Sequence, residues 1–231
     1  MLPFGDTILV VAAHPDDEVL GCGGTIARAV REGRHVHIAI LGEGATSRYH
    51  QREAADAAEV EQLAEQSERV RALLGAETLD LGGFPDNRFD TMPLLDVVKY
   101  VESLVERYRP DTIFTQHGGD LNIDHSIVFR ATLTATRPVA GDAAKRLYAY
   151  EAASSTEWAY QRFDPMFRPS TFVDIAETLP MKVQAMALYD TEAREFPHPR
   201  SAEALEAMAK RWGSVAGCPA VEAFELIREI C

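Results

Sequence analysis

The chain has 231 residues, 46% of them hydrophobic and 26% charged, an ordinary balance for a folded, water-exposed protein large enough to bury a substantial core. Its formal net charge of -13 argues against nucleic acid or an anionic membrane as a general partner, while a local pocket could still oppose that field and take an anionic substrate. Cys22, Cys218 and Cys231 show no paired spacing, so no disulfide framework is expected and a reducing compartment is. No basic stretch precedes the first apolar run, and no run is long enough to span a bilayer. The expectation is a cytoplasmic protein without a membrane span.

The first element is the apolar run Ile8-Leu9-Val10-Val11-Ala12-Ala13, which reads as a strand buried on both faces. His14-Pro15-Asp16-Asp17-Glu18 follows, one imidazole and three carboxylates within five residues. Adjacent acids repel unless a cation or unequal protonation relieves them, and His with Asp suits a divalent metal. Gly21-Cys22-Gly23-Gly24 then reads as the opening of a helix over residues 25–33, with Cys22 a small buried residue among the glycines. Residues 35–41 form a second strand whose His35 and His37 share a face; packing under a helix is the commoner use of such a pair. Gly42 to Tyr49 is a polar loop in which Arg48 could grip a phosphate or carboxylate.

Residues 51–74 carry the apolar stripe of a long amphipathic helix. A short strand spans 77–81, a polar loop runs from Gly82 to Asp90, and a helix spans 94–108 before Pro110. A fourth strand at 112–115 leads into Gln116-His117-Gly118-Gly119-Asp120-Leu121-Asn122-Ile123-Asp124-His125, followed by a helix over 126–136. The alternation predicts an α/β protein with a mostly parallel, doubly wound sheet flanked by helices through about residue 140. Beyond it lies a smaller, irregular α/β extension, with strands at 146–150 and 171–175 and helices at 178–189 and 202–212. No linker or repeat separates the halves, so residues 1–231 read as one domain, 141–231 completing what 1–140 begins.

In a parallel sheet, both charged segments reach one rim. Together they offer His14, Asp17 and His125, a two-histidine, one-carboxylate set able to hold zinc with a position open for water. Asp16 is left over as a candidate general base. Taken singly, each residue has an ordinary explanation, such as a buried histidine or a helix-capping acid. Two acid-and-histidine clusters at corresponding strand ends do not.

Ala13-His14-Pro15-Asp16-Asp17-Glu18, continued through Gly21-Cys22-Gly23-Gly24, resembles the signature of the PIG-L/LmbE-like zinc-dependent N-deacetylases. Asp120-Leu121-Asn122-Ile123-Asp124-His125 resembles their second signature, and the likeness extends through Leu41-Gly42-Glu43-Gly44 and Phe84-Pro85-Asp86-Asn87-Arg88. The resemblance implies a Rossmann-like fold, zinc on His14, Asp17 and His125, Asp16 as general base, and hydrolysis of an N-acetyl group. Other divalent metals can occupy such a set. Several relatives carry a histidine where this chain has Asn122. The amide can donate one hydrogen bond to an oxyanion, and His117, oriented by Asp120 or Asp124, is a candidate for the missing imidazole. Arg48, Asp86, Asn87, Arg88, His198 and Arg200 are the candidate substrate contacts.

The expected substrate is an N-acetylated amino sugar, with a nucleotide or other phosphate attached. The alternatives are a glucosaminyl thiol-precursor conjugate, a glycolipid, or a metal-binding role without catalysis. A nucleotide-dependent oxidoreductase fits poorly, because Ile26 stands where the third small residue of a GxGxxG belongs and three acids would crowd a pyrophosphate. Nothing in the sequence opposes a homo-oligomer.

Overall fold

The computed structural model describes residues 2–139 and 144–231. In chain order the elements are β1 (Thr7–Ala12), α1 (Asp17–Arg31), β2 (His35–Gly42), α2 (Ala57–Leu74), β3 (Thr78–Phe84), α3 (Leu94–Tyr108), β4 (Thr112–Gln116) and α4 (Ile123–Ala135). The second half adds β5 (Arg146–Tyr150), β6 (Thr171–Asp174), α5 (Leu179–Leu188), α6 (Ala202–Ala216) and β7 (Val221–Glu229). All seven strands form one sheet in the order β3-β2-β1-β4-β5-β7-β6. The first five are parallel; β7 runs antiparallel to both β5 and β6. The mostly parallel, Rossmann-like α/β sheet expected from the sequence is therefore present.

The apolar run of β1 explains its central position. Ile8, Val10 and Ala12 face a core built with Ile26 of α1, Leu63 and Val70 of α2, Met186 of α5 and Leu205 of α6. Leu9 and Val11 face the other core, with Val97, Val101 and Leu104 of α3 and Val128 of α4. A strand that alternates between two cores has no polar face, hence its continuous hydrophobicity. The chain winds outward from β1 through β2 to β3, then crosses back to β4 on the opposite side of β1. The strand order thus reverses between β1 and β4, and the loops leaving those two strands open into the same crevice, where such sheets bind ligands.

Several boundaries differ from expectation. α1 begins at Asp17, not Thr25, so the glycine cluster lies inside the helix. A Cβ on Gly21 would sit 2.1 Å from the Tyr150 ring, and one on Gly24 would sit 2.8 Å from Ile175. These glycines let α1 approach β5 and the segment after β6, which offsets their roughly 1 kcal/mol cost each in a helix interior. α2 begins at Ala57 because the Asp56 side chain caps it, accepting from the Ala58 N–H at 2.9 Å. α4 begins at Ile123 with Asn122 as its cap, so His125 sits in its first turn.

β7 has no counterpart in the sequence reading. Its buried Glu222 breaks the apolar pattern of a strand, yet that carboxylate accepts from Lys182 Nζ at 2.7 Å and from the Gly24 and Thr25 amides. On β2, exposed His35 pairs with Glu77, while His37 stacks on Tyr108 with ring centres 4.0 Å apart. Both rings serve packing or surface pairing.

Candidate active site

The crevice between β1 and β4 receives its reactive groups from two helix starts. Asp16 adopts φ 104°, a left-handed conformation that is costly for a residue with a Cβ, and its carbonyl accepts from the Val19 and Leu20 amides. Glu18 steadies this turn, accepting from the Asp16 N–H at 3.2 Å and from the Tyr189 hydroxyl at 2.6 Å. Asp17 is buried one position later. Its Oδ2 accepts from the His14 N–H at 2.9 Å and from Gln116 Nε2 at 3.1 Å.

Two imidazoles converge on that same oxygen. His125 Nε2 lies 3.2 Å from Asp17 Oδ2, and His14 Nδ1 lies 3.4 Å from it. The far nitrogen of each ring meets its own carboxylate: His14 Nε2 is 3.0 Å from Asp124 Oδ2, and His125 Nδ1 is 3.1 Å from Asp120 Oδ2. Those outer carboxylates are anchored in turn. Asp124 Oδ1 accepts from the Phe89 N–H at 3.0 Å, and Asp120 accepts from the hydroxyls of Ser155 and Thr156.

The electrostatics follow from this enclosure. Burial opposes charge on His125, but Asp17 and Asp120 overcome it and push its pKa up to about 9. Burial likewise opposes charge on His14, and Asp124 and Asp17 outweigh it, raising that group well above the ordinary value. Burial works against ionised Asp17 too, yet the two histidines hold it well below the usual carboxylate range. Asp16 goes the other way: burial raises it well above its ordinary value, with Arg200 opposing. Two neighbouring carboxylates are thus driven apart, the pattern that divides roles in hydrolytic sites.

The donor set fits a divalent metal. One nitrogen of His14, one nitrogen of His125 and a carboxylate oxygen of Asp17 lie within 4.8 Å of one another. Each histidine backed by its own carboxylate is the arrangement that fixes ring orientation at metal centres. His14, Asp86 and Asp124 form a second group within the same span. That group has a single imidazole, its Asp124 Oδ1 is committed to the Phe89 amide, and its Asp86 Oδ2 accepts from the Ser47 N–H at 3.1 Å. Asp86 and Asp124 therefore act better as partners of His14 Nε2 than as ligands.

Beside these groups opens a cleft of about 150 Å³ lined by His14, Asp16, Arg48, Asp86, Asn87 and Asn122, with Glu192 and Arg200 closing it. Arg200 is mostly buried. Its Nη1 lies 2.8 Å from Asp16 Oδ2 and 2.9 Å from Glu192 Oε2, and its Nε donates to Ser154 Oγ at 2.8 Å. Arg48 pairs with the same Glu192. Of the three arginines offered as substrate contacts, the two that line the cleft are thus held by carboxylates of the chain itself. Asn122 Oδ1 caps α4, and its Nδ2 donates to Asn87 Oδ1 at 2.9 Å, leaving one amide hydrogen uncommitted.

Three expected site residues lie elsewhere. His117 does not enter the cleft: Nε2 meets the Pro165 carbonyl at 2.8 Å, Nδ1 faces Glu225 at 3.3 Å, and the ring lines a neighbouring cavity. The turn after β4 aims that side chain away from the crevice, toward β7, an element absent from the sequence reading. Arg88 points outward to the His50 carbonyl at 3.4 Å. His198 accepts from the Arg200 N–H at 3.1 Å and packs edge-on against Trp158. Gln116, Glu192 and Ser154 were not singled out as site residues. Gln116 and Ser154 contact groups 99 and 46 residues away, and Glu192 reaches Arg48 across 144 residues, separations that leave no local signal.

Residues 9–136 match the family described as PIG-L, GlcNAc-PI de-N-acetylase, a span of more than half the chain. The chain belongs to this family. A protein of Escherichia coli K12 described as the uncharacterized deacetylase YaiS is 26% identical over 178 residues, 74% of this chain and 82% of that one. Among solved structures, conserved protein TT1542 from Thermus thermophilus superposes with a TM-score of 0.75 at 26% identity, covering 97% of this chain and 96% of its own. GalB, the 4-carboxy-2-hydroxymuconate hydratase of Pseudomonas putida KT2440, superposes with a TM-score of 0.76 at 19% identity, covering 98% of each chain. That likeness shows the fold alone.

Proposed function

We propose that the protein is a metal-dependent N-deacetylase of an N-acetylated amino sugar, with zinc held by His14, Asp17 and His125. The observation that carries this reading is the placement of each histidine between Asp17 and an outer carboxylate of its own, Asp124 for His14 and Asp120 for His125. A bound divalent ion would polarise the amide carbonyl and acidify a water. The other work falls to residues of the chain.

Asp16 takes the proton of the attacking water and returns it to the nitrogen as the C–N bond breaks, yielding acetate and a free amine. Burial raises its pKa toward the working range of such a shuttle. Arg200, fixed by Glu192 and Ser154, holds Asp16 Oδ2 in place. The free amide hydrogen of Asn122 is available to the oxyanion that forms at the carbonyl. Asp86 and Asn87 line the wall on which the sugar hydroxyls would rest.

The finer expectation of a phosphate or nucleotide carrier gains no support from the cleft, since Arg48 and Arg200 are already paired. The reading treats residues 1–231 as one domain, with Arg200 and Glu192 as the contribution of the second half. Its three free cysteines accord with a cytoplasmic setting. Among the described residues no helix is long and apolar enough to cross a membrane.

The test is acetate release from a panel of N-acetylglucosamine derivatives: free, alkyl-linked, aryl-linked and nucleotide-linked. Metal-loaded protein is compared with chelated protein. Metal-dependent acetate release from a member of the panel is expected. Metal uptake with no acetate from any member would overturn the reading.

A further inference from the structure

Arg48 reaches the cleft from the turn after β2, and Arg200 from the segment before α6. Two guanidiniums converging on one point are a common means of gripping a phosphate or carboxylate. Here that point is occupied by a carboxylate of the chain. Glu192 Oε1 pairs with Arg48 Nη2, and Glu192 Oε2 lies 2.9 Å from Arg200 Nη1. One side chain bridging both arginines stands where the anionic group of a ligand would otherwise lie.

Glu192 has a firm mount. In the turn after α5, its N–H and that of Ala193 donate to the Tyr189 carbonyl at 3.0 and 2.8 Å. Tyr189 is fully buried; its hydroxyl donates to Glu18 of α1 and lies 3.0 Å from Ser67 Oγ of α2. The intervening Asp190 accepts from Gln66 of α2 at 2.5 Å. The turn is thus tied to two helices, and the Glu192 side chain is only 13% exposed, against 39% for Arg48.

Charge on the cleft wall points the same way. Asp16, Asp86 and Glu192 set three carboxylates against the two guanidiniums. Arg200 is already shared between Asp16 and Glu192. Neither guanidinium is left for a phosphate, whose charge would face the carboxylates directly.

We propose that Glu192 is the specificity-determining residue of the cleft. It satisfies both arginines from within, and so excludes N-acetylated sugars that carry a phosphate or carboxylate on the ring in favour of uncharged ones. This rests on the deacetylase reading and names the charge class of its substrate. Discrimination of this kind comes from a repulsive group placed against the wrong ligand, not from a tighter grip on the right one. Glu192→Gln keeps the shape and one acceptor oxygen, so one guanidinium keeps a partner while the more exposed Arg48 is released to take an anion.

The experiment measures kcat/KM for N-acetylglucosamine and its 6-phosphate with metal-loaded wild type, Glu192→Gln and the double variant Arg48→Gln, Glu192→Gln. The ratio between the two sugars cancels any common loss from a less firmly held Asp16. The wild type should prefer the free sugar by about tenfold or more, Glu192→Gln should reduce that preference by about tenfold, and the double variant should restore it. Equal turnover of both sugars by the wild type, or a ratio unmoved by Glu192→Gln, overturns the proposal and leaves the deacetylase reading standing.

The melting temperature in inorganic phosphate gives a reading that needs no turnover. Phosphate should raise the Tm of metal-loaded Glu192→Gln by about 2–4 °C more than that of the wild type, any phosphate on the metal being common to both. Acetate from neither sugar, nor from the panel above, overturns the deacetylase reading. Equal Tm shifts would then overturn the anion-excluding role of Glu192 as well, and the larger shift in Glu192→Gln would uphold it.

Discussion

The two halves of the molecule contribute to the site in opposite ways. The first half, through α4, supplies the groups proposed to hold metal and proton, and it does so from two short segments at the ends of β1 and β4. The second half supplies no member of the three-residue metal set, but contributes Arg200 and Glu192 beside Asp16 and Ser155 and Thr156 behind Asp120. Reactive groups cluster in sequence because a strand end and the following helix start expose several adjacent side chains to one crevice. Supporting groups come from wherever the chain returns to that crevice, so their spacing carries no pattern.

Substitutions can separate these contributions. The largest expected effect lies in the first half. Asp16→Asn should lower kcat by about a thousandfold, the scale of a lost general base. Next comes the backing of the ligands, where the halves meet. Asp120→Asn leaves His125 in place but weakens its outer partner, so metal affinity should fall roughly 10- to 100-fold in a titration against a competing chelator. An unchanged affinity would mean that Asp120, with the Ser155 and Thr156 hydroxyls behind it, does not steady the metal set.

The packing of the halves gives a smaller, purely structural effect. Gly21→Ala drives a methyl into the Tyr150 ring of β5. The expected loss is about 1–3 kcal/mol in denaturant unfolding. A neutral result would show that α1 can shift without disturbing the site it begins.

Stability against pH probes the electrostatics of the set without any substrate. In metal-free protein the folded-state pKa of His125 is raised to about 9, above the roughly 6.5 of an unfolded histidine. A raised pKa contributes stability that is full below the unfolded value and disappears as pH rises through the folded one. The Tm of metal-free protein should therefore fall between pH 7 and pH 10, and His125→Asn should flatten that slope. The smallest effect belongs to the residues that turned away from the cleft. Arg88→Ala should change kcat/KM by no more than about twofold, as expected of an exposed side chain outside the site.

Legibility in the sequence followed the same division. The parallel order was readable because β1 alternates between two cores and so has no polar face. His14, Asp16, Asp17 and His125 were readable as a set because unlike charges concentrated at two strand ends need a common explanation. The start of α1 was not, because the glycines were read as the opening of the helix when they lie inside it and serve close approach to Tyr150 and Ile175. β7 was hidden by Glu222, whose burial makes sense only with Lys182 opposite it. His117 sits in the polar segment after β4 like the other candidates. Its direction depends on contacts with Pro165 and Glu225, which the segment itself does not encode.

The central claim is a division of labour between neighbouring aspartates, Asp17 for the metal and Asp16 for the proton. Metal content and acetate release measured on one preparation of Asp16→Asn test it most directly. The account predicts metal at the wild-type level with acetate release reduced by about a thousandfold. Retained activity, or metal lost together with activity, would contradict it.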